Sequence, residues 1–468
     1  MVISFDGTPG LPIEPTLASL EVTSTTNGVE TYTPATGVDG YSSVKVVTKV
    51  GDVGDWFKIT NRSASAGTIT FAGSASLKPL ILTTSTDGEN WDMNAYASGY
   101  TIALPANGYV LFNGKQNDNW GVMIDQSLYS YNLSVNVPFD VSGDIMTLVK
   151  GDSAIFAQMF YGATNLVNAS GLNLSQMSVP EQGYSNMFQS CTNLISAPTL
   201  PATTLGRFCY QSMFQNCPNL TTPPALPATT LADACYYMMF NWCTGLRTAP
   251  ALPATTLADS CYKGMFTGCE GLTSAPALPA TTLTNSCYEG MFQNCASLTS
   301  APALPATTLA PGCYVQMFQG CRSITTAPAL PATTLAVNCY AMMFTVCTGL
   351  TSAPALPATT LVTNCYQSMF QGCTSLVNGP VLPATEANDI WNYYSAMFAQ
   401  CTGLTNTTMF LAYSTYVSGR GNMFTGVNTT GTLYVSPDAY EDYSTNESTL
   451  KSGGYLPANW TIAQYNNN

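Results

Sequence analysis

The sequence has no histidine among its 468 residues. Histidine is the most frequent general base, the usual partner of a Ser or Cys nucleophile and the most frequent metal ligand in proteins. Its absence argues against hydrolytic catalysis and against a metal centre. We therefore expect a protein that is not an enzyme and that uses no cofactor and no metal.

Charge is also scarce. Only 8% of the residues are charged, against about 25% in ordinary soluble domains. The 13 Lys and Arg residues form no basic cluster, and the formal net charge is −13. Because nucleic acids and anionic membranes bind concentrated positive charge, we expect neither of them as a partner.

Long apolar runs are missing as well. No uninterrupted apolar stretch reaches the roughly 18 residues that a membrane-spanning helix needs. The first residues, "MVISFDGTPGLPIEPT", lack the basic and apolar regions of a secretory signal. We therefore expect a chain that neither spans a membrane nor leaves the cell by the general secretory route.

What the chain does contain is a repeat marked by a Met-Phe pair. The pairs recur with a 26-residue step in the middle of the array and with a 28-residue step at two places near its ends. A fixed period of this size is typical of a solenoid, in which neighbouring coils bury one another's faces and the outer repeats serve as caps. The pairs begin at Met159, Met187, Met213, Met239, Met265, Met291, Met317, Met343, Met369, Met397 and Met423.

The spacing of apolar residues within one unit predicts a short helix followed by an extended segment. The apolar positions lie four, four, four and three residues apart, which is one face of a helix. The segment "LTSAPALPATTL" that follows carries prolines three residues apart and is therefore extended. We predict a right-handed α/β solenoid with 26-residue repeats. The spacing is that of Leu257, Cys261, Met265, Cys269 and Leu272.

The 16 cysteines form two columns, eight residues apart within a unit. That separation is about 12 Å along a helix, too far for a disulfide, and columns with odd numbers of members offer no regular pairing between coils. A metal array is disfavoured because CxxC spacing and histidine are both lacking. We predict reduced cysteines that fill the core. The core positions predicted in this way are Cys209, Cys217, Cys261, Cys269, Met265 and Phe266.

Charges at repeated positions would stand about 4.8 Å from their copies in the next coil, where like charges repel. The repeated positions are accordingly Thr, Ser, Ala, Pro and Asn. Lys263 and Glu289 occupy equivalent places in adjacent units. We predict a surface ion pair between them.

The repeat pattern C-Y-x-x-M-F-x-x-C-x-x-L-x-x-x-P-x-L-P resembles the BspA-like leucine-rich repeats of bacterial surface proteins. The resemblance covers roughly 150–430. It implies a solenoid used for adhesion, with no catalytic residues. The ending "GTLYVSPDAYEDYSTNESTLKSGGYLPANWTI" resembles the terminal strand and helix of that family, with Trp460 closing the last coil.

The front of the chain is predicted to be all-β. Residues 20–50 alternate apolar and polar side chains around Asn27-Gly28 and Asp39-Gly40, which are hairpin signals. This stretch resembles a small β-module, N-G-x-x-x-Y-x-P-x-x-G-x-D-G-Y-S-S-V, that recurs in tail, fibre and other virion proteins of bacteriophages. The resemblance implies that this module anchors the chain to other virion proteins.

Residues 56–148 alternate in the same way and predict a β-sandwich. We expect aromatic packing from Trp56, Trp91 and Trp120. The hairpin "STDGENW" brings Asp87, Glu89 and Asp92 close together, which leaves a calcium site open. The alternative is an ordinary Asp-Gly turn.

One repeat differs from its neighbours on the surface. In "CYYMMFNWC", Tyr237, Met238 and Trp242 stand where other units carry mostly Gln, Asn, Gly or Ser. Exposed aromatic residues among amides suit a sugar or a protein ligand, so these three are the candidate binding residues. The alternative is packing against a neighbouring chain or the β-domain. A tyrosine follows the first cysteine of several units, and these tyrosines form a stripe that is either structural or a ladder of glycan-binding residues. They are Tyr210, Tyr262, Tyr288, Tyr314 and Tyr366.

We therefore predict four regions: 1–52 for virion anchoring, 53–149 as a β-sandwich, 150–430 as the solenoid and 431–468 as the C-terminal cap. The expected function is that of a phage virion structural protein, a head or tail fibre or a capsid decoration, localised to the virion. Its partners would be other virion proteins, a host-surface protein or glycan, and further copies of itself, with a trimer one option. The alternatives are a bacterial BspA-like adhesin and a glycan depolymerase, which would need a carboxylate pair.

Overall fold

The computed structural model describes residues 2–6, 20–26, 29–34, 43–47, 56–72, 80–87, 92–96, 99–113, 132–148, 156–387, 392–412 and 421–466. The chain forms two compact units. The first unit comprises 1–154 and 165–175, and the second comprises 155–164 and 176–468. The finer division into four regions stays a prediction.

The first unit is built of strands. β1–β4 form one antiparallel sheet in the order β1-β4-β3-β2. The pairing of β2 with β3 ends at Thr26 and Val29, so the hairpin predicted around Asn27-Gly28 is confirmed, although those two residues lie outside the described part. The strands of this unit are β1 (Val2–Asp6), β2 (Leu20–Thr26), β3 (Val29–Pro34), β4 (Ser43–Val47), β5 (Phe57–Asn61), β6 (Gly67–Ala72), β7 (Leu80–Ser85), β8 (Asp92–Tyr96), β9 (Thr101–Leu104), β10 (Tyr109–Asn113), β11 (Asn132–Val135), β12 (Phe139–Asp144) and β13 (Leu166–Asn173).

Two further sheets follow in this unit, with orders β13-β12-β5-β10-β7-β8 and β11-β6-β9. The ring of Phe71 on β6 meets the ring of Phe112 on β10 with centroids 6.4 Å apart, so the two sheets share an aromatic core. Burial alternates along β5 and β12, as expected for strands that cover a core on one face. Trp56 is half-buried, whereas Trp91 and Trp120 lie outside the described residues.

The second unit is a β-solenoid of about eleven coils. Its named strands are short or lie near the ends of the stack, and parallel bridges such as Thr230–Thr256 and Thr308–Thr334 link the coils between them. Paired residues in the middle of the array keep the 26-residue offset that the Met-Phe spacing predicts. The strands are β14 (Ser178–Val179), β15 (Thr204–Leu205), β16 (Thr360–Leu361), β17 (Asn378–Leu382), β18 (Glu386–Ala387), β19 (Asn406–Met409), β20 (Thr430–Val435) and β21 (Asn459–Gln464).

The Met-Phe segment of each coil is a chain of β-turns. Between positions 260 and 269, the even-numbered amides donate to carbonyls of the next coil over 2.8–3.1 Å, as the amide of Gly264 does to the carbonyl of Glu289. The odd-numbered amides donate to carbonyls three residues back, over 3.0–3.3 Å. The backbone is thus tied alternately to itself and to the following coil.

Every fourth residue of this segment has a positive φ, as at Ser260 (56°), Gly264 (63°) and Gly268 (73°). A positive φ at the third residue of a turn is what a type II turn requires. The backbone direction therefore repeats every four residues and places each Cys-Tyr and Met-Phe pair on the inside. Turns, rather than helical hydrogen bonds, produce the four-residue apolar spacing.

The helix predicted in each repeat is consequently wrong. An α-helix repeats every 3.6 residues, so a spacing of four sustained over three steps would rotate steadily off the core face. In the described residues α-helix occurs only near the C-terminus, in α1 (Tyr440–Thr445) and α2 (Glu447–Ser452). None of the described helices is long and apolar enough to span a bilayer.

The interior is made of side-chain columns that run along the stack. Phenylalanines from eleven coils, Phe160 to Phe424, stack with ring centroids 5.4–5.9 Å apart. A second column runs from Phe156 through the tyrosines to Tyr394, at 5.8–6.0 Å. These tyrosines are buried, so of the two interpretations of the tyrosine stripe the structural one is confirmed.

The last coil is closed as the sequence predicts. Trp460 on β21 is fully buried, and its ring lies 5.1 Å from Phe424, at the end of the phenylalanine column. Its Nε1 donates to the carbonyl of Asn428 at 2.8 Å. The indole therefore covers the final ring while its polar atom stays satisfied.

Candidate functional site

The outward residues of the solenoid form two surfaces of different character. One is the proline-rich segment, where alternate residues face outward. The other is the turn segment, where side chains between the buried pairs, such as those of Asp259, Lys263 and Trp242, reach solvent. The two surfaces offer different chemistry.

The first surface repeats the same uncharged residues in six coils. In one coil Ala303, Pro305 and Thr307 are exposed, while the intervening Leu304 and Ala306 are buried. We call the equivalent positions of six coils the Ala-Pro-Thr face. It comprises Ala225, Pro227, Thr229, Ala251, Pro253, Thr255, Ala277, Pro279, Thr281, Ala303, Pro305, Thr307, Ala329, Pro331, Thr333, Ala355, Pro357 and Thr359, all exposed.

A shallow groove of about 450 Å³ lies beside the N-terminal end of this face. Ile195 and the pair Pro223-Pro224 line it, and Ile195 stands where most coils carry threonine. The groove contains no charged residue. The groove is therefore a concave uncharged surface beside the uncharged Ala-Pro-Thr face.

The predicted binding residues Tyr237, Met238 and Trp242 lie on the second surface. Tyr237 and Met238 are half-buried, and Trp242 is 45% exposed. A Cβ placed on Gly268 would come 2.6 Å from Cδ2 of Trp242, and one on Gly264 would come 3.1 Å from Cγ of Met238. Both side chains therefore lie over glycines of the next coil, and these glycines cover part of the surface of each side chain.

This arrangement follows a rule along the column that contains Trp242. From Trp242 onwards, each larger residue of the column is followed in the next coil by glycine, and its side chain lies over that glycine. Trp242 thus has a specific packing partner within its own chain, Gly268 of the next coil. Nearly half of its side chain still faces solvent. The alternating residues are Trp242, Gly268, Asn294, Gly320, Val346, Gly372, Gln400 and Gly426.

Sequence reasoning missed a second apolar pair on the same surface. Met342 and Val346 occupy the positions of Met238 and Trp242 four coils further on, and Val346 is 37% exposed. The segments "YMMFNWC" and "AMMFTVC" show the correspondence when they are aligned on Met-Phe. The signal was present, but valine in an apolar segment does not stand out as tryptophan does.

Comparison with known proteins identifies no relative. No family model, no curated protein and no solved structure matches this chain.

The thiols are buried in a way that makes them unreactive. All 16 cysteines are free and buried. Burial raises the pKa of Cys243 to about 12 and that of Cys287 to about 11. Because the thiolate is the nucleophile and the metal ligand, these residues offer no reactive sulfur at neutral pH. The predicted core residues Cys209, Cys217, Cys261, Cys269, Met265 and Phe266 are all fully buried.

The second cysteine column has a specific role in the stack. Its thiols donate to a phenylalanine carbonyl of an earlier coil, over 2.8–3.2 Å. Cys269 Sγ, for example, donates to Phe240 O at 3.0 Å, and the same oxygen accepts the amide of Cys243. Cysteine supplies a donor that can be buried without leaving a strong polar group unsatisfied.

Two carboxylates of the turn surface, those of Glu289 and Asp259, are bound in local pairs. The predicted Lys263–Glu289 ion pair is confirmed, with 2.9 Å between Nζ and Oε2. Asp259 accepts two hydrogen bonds from Asn285 of the next coil. In the described part of the chain no group of three or more Cys, Asp or Glu side chains could hold a metal ion. Asp87 accepts from Ser85 Oγ at 3.0 Å, and Glu89, the second of the three residues considered for calcium, lies outside the described residues.

Proposed function

We propose that this chain is a non-enzymatic, fibre-like structural protein of a bacteriophage virion, and that its solenoid attaches the particle to host-surface or gut glycans. The N-terminal module would hold the chain to other virion proteins. The solenoid would then be the part that meets the surroundings. Its repeats would be of the BspA-like leucine-rich class.

The observation that carries the attachment role is the Ala-Pro-Thr face. Eighteen exposed positions in six coils are occupied only by Ala, Pro and Thr. Most soluble proteins instead carry many charged residues on their surface. Hydroxyls set among small apolar groups match the alternating hydroxyl and C–H groups of an uncharged sugar. A net charge of −13 would repel acidic ligands at long range, so a neutral glycan is the better fit.

The virion assignment is supported by the resemblance of the N-terminal module to phage fibre and tail proteins. Buried, protonated thiols also suit assembly in a reducing cytoplasm. A bacterial BspA-like adhesin is the second candidate, because the repeats resemble that family. The two candidates share the attachment chemistry and differ in what holds the N-terminal module.

A glycan array that contains neutral and acidic glycans tests the attachment role. Labelled full-length chain should bind neutral glycans, and the double variant Thr255→Lys/Thr307→Lys should lose at least tenfold in affinity. The matched control is Ser323→Lys/Ser375→Lys, which adds the same charge at exposed positions outside the face. Equal binding by the two variants, or binding to no neutral glycan, would contradict the proposal.

Particle incorporation tests the virion assignment. Purified particles should contain the full chain, and a chain that lacks 1–52 should be absent from them while its solenoid still folds. Incorporation of the shortened chain would refute the anchoring role. Finding the full chain on bacterial surfaces and not on particles would favour the adhesin.

A further inference from the structure

The groove beside the Ala-Pro-Thr face lies where the sequence departs from the repeat. Its volume is about 450 Å³, and Ile195, Thr199 and Pro223 are among the residues that line it. Four later coils, between 273 and 358, carry Thr, Ala and Ala at the equivalent positions. These three departures from the repeat therefore meet in one concave surface, which is the usual form of a small-molecule site.

Part of the lining is apolar and rigid. Ile195 is 51% exposed, and the exchange of threonine for isoleucine at this position replaces a hydroxyl by an ethyl group. Exposed apolar side chains that line a concave surface are typical of a contact site. The consecutive prolines Pro223 and Pro224 fix the backbone φ of the neighbouring coil, so this wall of the groove needs little ordering when a ligand binds.

The groove also offers hydroxyls. In later coils the hydroxyls of Thr273 and Thr299 each donate to a carbonyl of the preceding coil at 3.2 Å. Within the described residues the equivalent hydroxyl of Thr221 makes no such bond, so it is available to water or to a ligand. The hydroxyl-bearing residues that line the groove are Ser196, Thr199, Thr221 and Thr222.

The lining indicates the chemical class of the ligand. None of the lining residues is charged, and the net charge of −13 repels acidic ligands at long range, so the ligand should be neutral. The threonine hydroxyls suit the hydroxyls of a sugar. Ile195 and the two prolines instead require an apolar group, because a hydroxyl buried against them would lose its hydrogen bonds to water. A neutral sugar that carries a methyl group meets both requirements.

We propose that this groove is a binding subsite for a neutral, methyl-bearing sugar, either a 6-deoxyhexose or an N-acetylhexosamine. The methyl group would lie against Ile195 and the two prolines, while the hydroxyls of the sugar would bond to those of Thr199 and Thr221. This assignment rests on the proposed function, because it names the sugar that the attachment surface would hold.

Nuclear magnetic resonance titration of the full chain with matched pairs of free sugars tests the role of the methyl group. L-Fucose and L-galactose differ only in the hydroxyl at carbon 6, and N-acetylglucosamine and glucose differ in the acetamido group. In at least one pair the methyl-bearing sugar should bind at least fivefold more tightly, and the pair that shows the preference identifies the source of the methyl group. Equal affinities within both pairs would overturn the proposal.

Returning a groove residue to the repeat tests the site itself. Ile195→Thr should abolish the preference for the methyl-bearing sugar, and Pro223→Ala should weaken its binding. Both variants should fold with little change in melting temperature, because threonine and alanine hold the equivalent positions in four later coils. A preference that survives Ile195→Thr would contradict the proposal.

The matched control is Thr299→Ile. It places isoleucine at the equivalent exposed position four coils further on, outside the groove, and should leave the affinities of all four sugars unchanged. Equal effects of Ile195→Thr and Thr299→Ile would show that the groove is not the site and would overturn the proposal.

The glycan array separates failure of this subsite from failure of the proposed function. Neutral glycans that bind wild type and Ile195→Thr equally well, with no preference for a methyl-bearing sugar, would refute the subsite and leave the attachment role standing. Binding of no neutral glycan by the wild type would refute both. Weaker binding of methyl-bearing glycans alone by Ile195→Thr is the result that supports the subsite.

Discussion

At the scale of single residues, two features define this solenoid: thiols that donate hydrogen bonds inside it and residues with positive φ at every fourth position of the turn segment. The cysteine columns and their burial follow from the sequence, because equivalent cysteines recur at fixed intervals among apolar residues. The donor role of Cys269 and its equivalents does not follow from the sequence. It depends on the backbone path, which brings each of these thiols to a phenylalanine carbonyl of the preceding coil, and the sequence pattern alone does not reveal this path.

The raised thiol pKa values predict loss of stability in alkali. Burial raises the pKa of Cys243 from 9.0 to about 12, so the folded state holds its proton where the unfolded state releases it. The stabilisation is complete below pH 9 and falls as the pH rises towards 12, by about 1.4 kcal/mol per pH unit for each thiol. With 16 thiols the protein should unfold between about pH 9 and pH 11, given ordinary stability.

Circular dichroism along a pH titration measures this transition. Cys243→Ala should show a shallower dependence of the unfolding free energy on pH, by about one proton. A stability that stays constant from about pH 8 to pH 11 would contradict the burial of neutral thiols.

Gly268 should be sensitive to substitution because of the ring above it. Gly268→Ala places a Cβ 2.6 Å from Trp242 and also meets a φ of 73°, so we expect a loss of about 2–4 kcal/mol in unfolding free energy. In a Trp242→Gly background the same change should cost only the backbone strain of about 1 kcal/mol.

The double-mutant cycle isolates the contact, and denaturant unfolding measures it. Gly290→Ala is the control, because φ there is 60° but the nearest atom lies 3.7 Å from the new Cβ. Equal losses at Gly268 and Gly290 would show that the ring does not press on the glycine.

At the scale of the element, the coil is the unit that the sequence specifies only in part. Paired residues in the middle of the array are 26 residues apart, as the Met-Phe pairs are, and burial alternates along the proline-rich segment as it does along an extended chain. The helix predicted for the turn segment is wrong because a four-residue apolar spacing resembles helical periodicity over a short window. The contrary signal is that several coils carry glycine or asparagine at these positions, as at Gly264, Gly268 and Asn294, since both residues tolerate positive φ.

A coil should therefore be removable as a whole. Deleting 299–324 joins Leu298 to Thr325, which restores the register of every column. We expect a folded chain with a modestly lower melting temperature, because stability in a repeat protein is roughly a sum over coils and their interfaces.

Deleting 299–311 removes half a coil and is the matched comparison. It would bring turn residues against proline-rich segments and break the inter-coil hydrogen bonds, so the chain should misfold. Differential scanning calorimetry distinguishes the two outcomes. Equal behaviour of the two deletions would contradict the 26-residue coil.

At the scale of the whole molecule, the solenoid presents a uniform neutral face on one side and a variable turn surface on another. The sequence predicts Tyr237, Met238 and Trp242 as unusual because they contrast with their equivalents in other repeats. It does not reveal the Ala-Pro-Thr face, because the alternation of exposed and buried residues in a proline-rich segment depends on the path of the coil. Met342 and Val346 can also be found in the sequence by aligning the repeats, but a valine in an apolar segment does not stand out as a tryptophan does.

The central claim is that the repeats stack as turn-built coils whose thiols point inward and donate across the coils. An experimental density map of the full chain at side-chain resolution tests it most directly. We expect positive φ at Ser260, Gly264 and Gly268 and a distance of about 3.0 Å between Cys269 Sγ and Phe240 O. A continuous helix through 258–269, or sulfurs joined in disulfides or bound to metal, would contradict it.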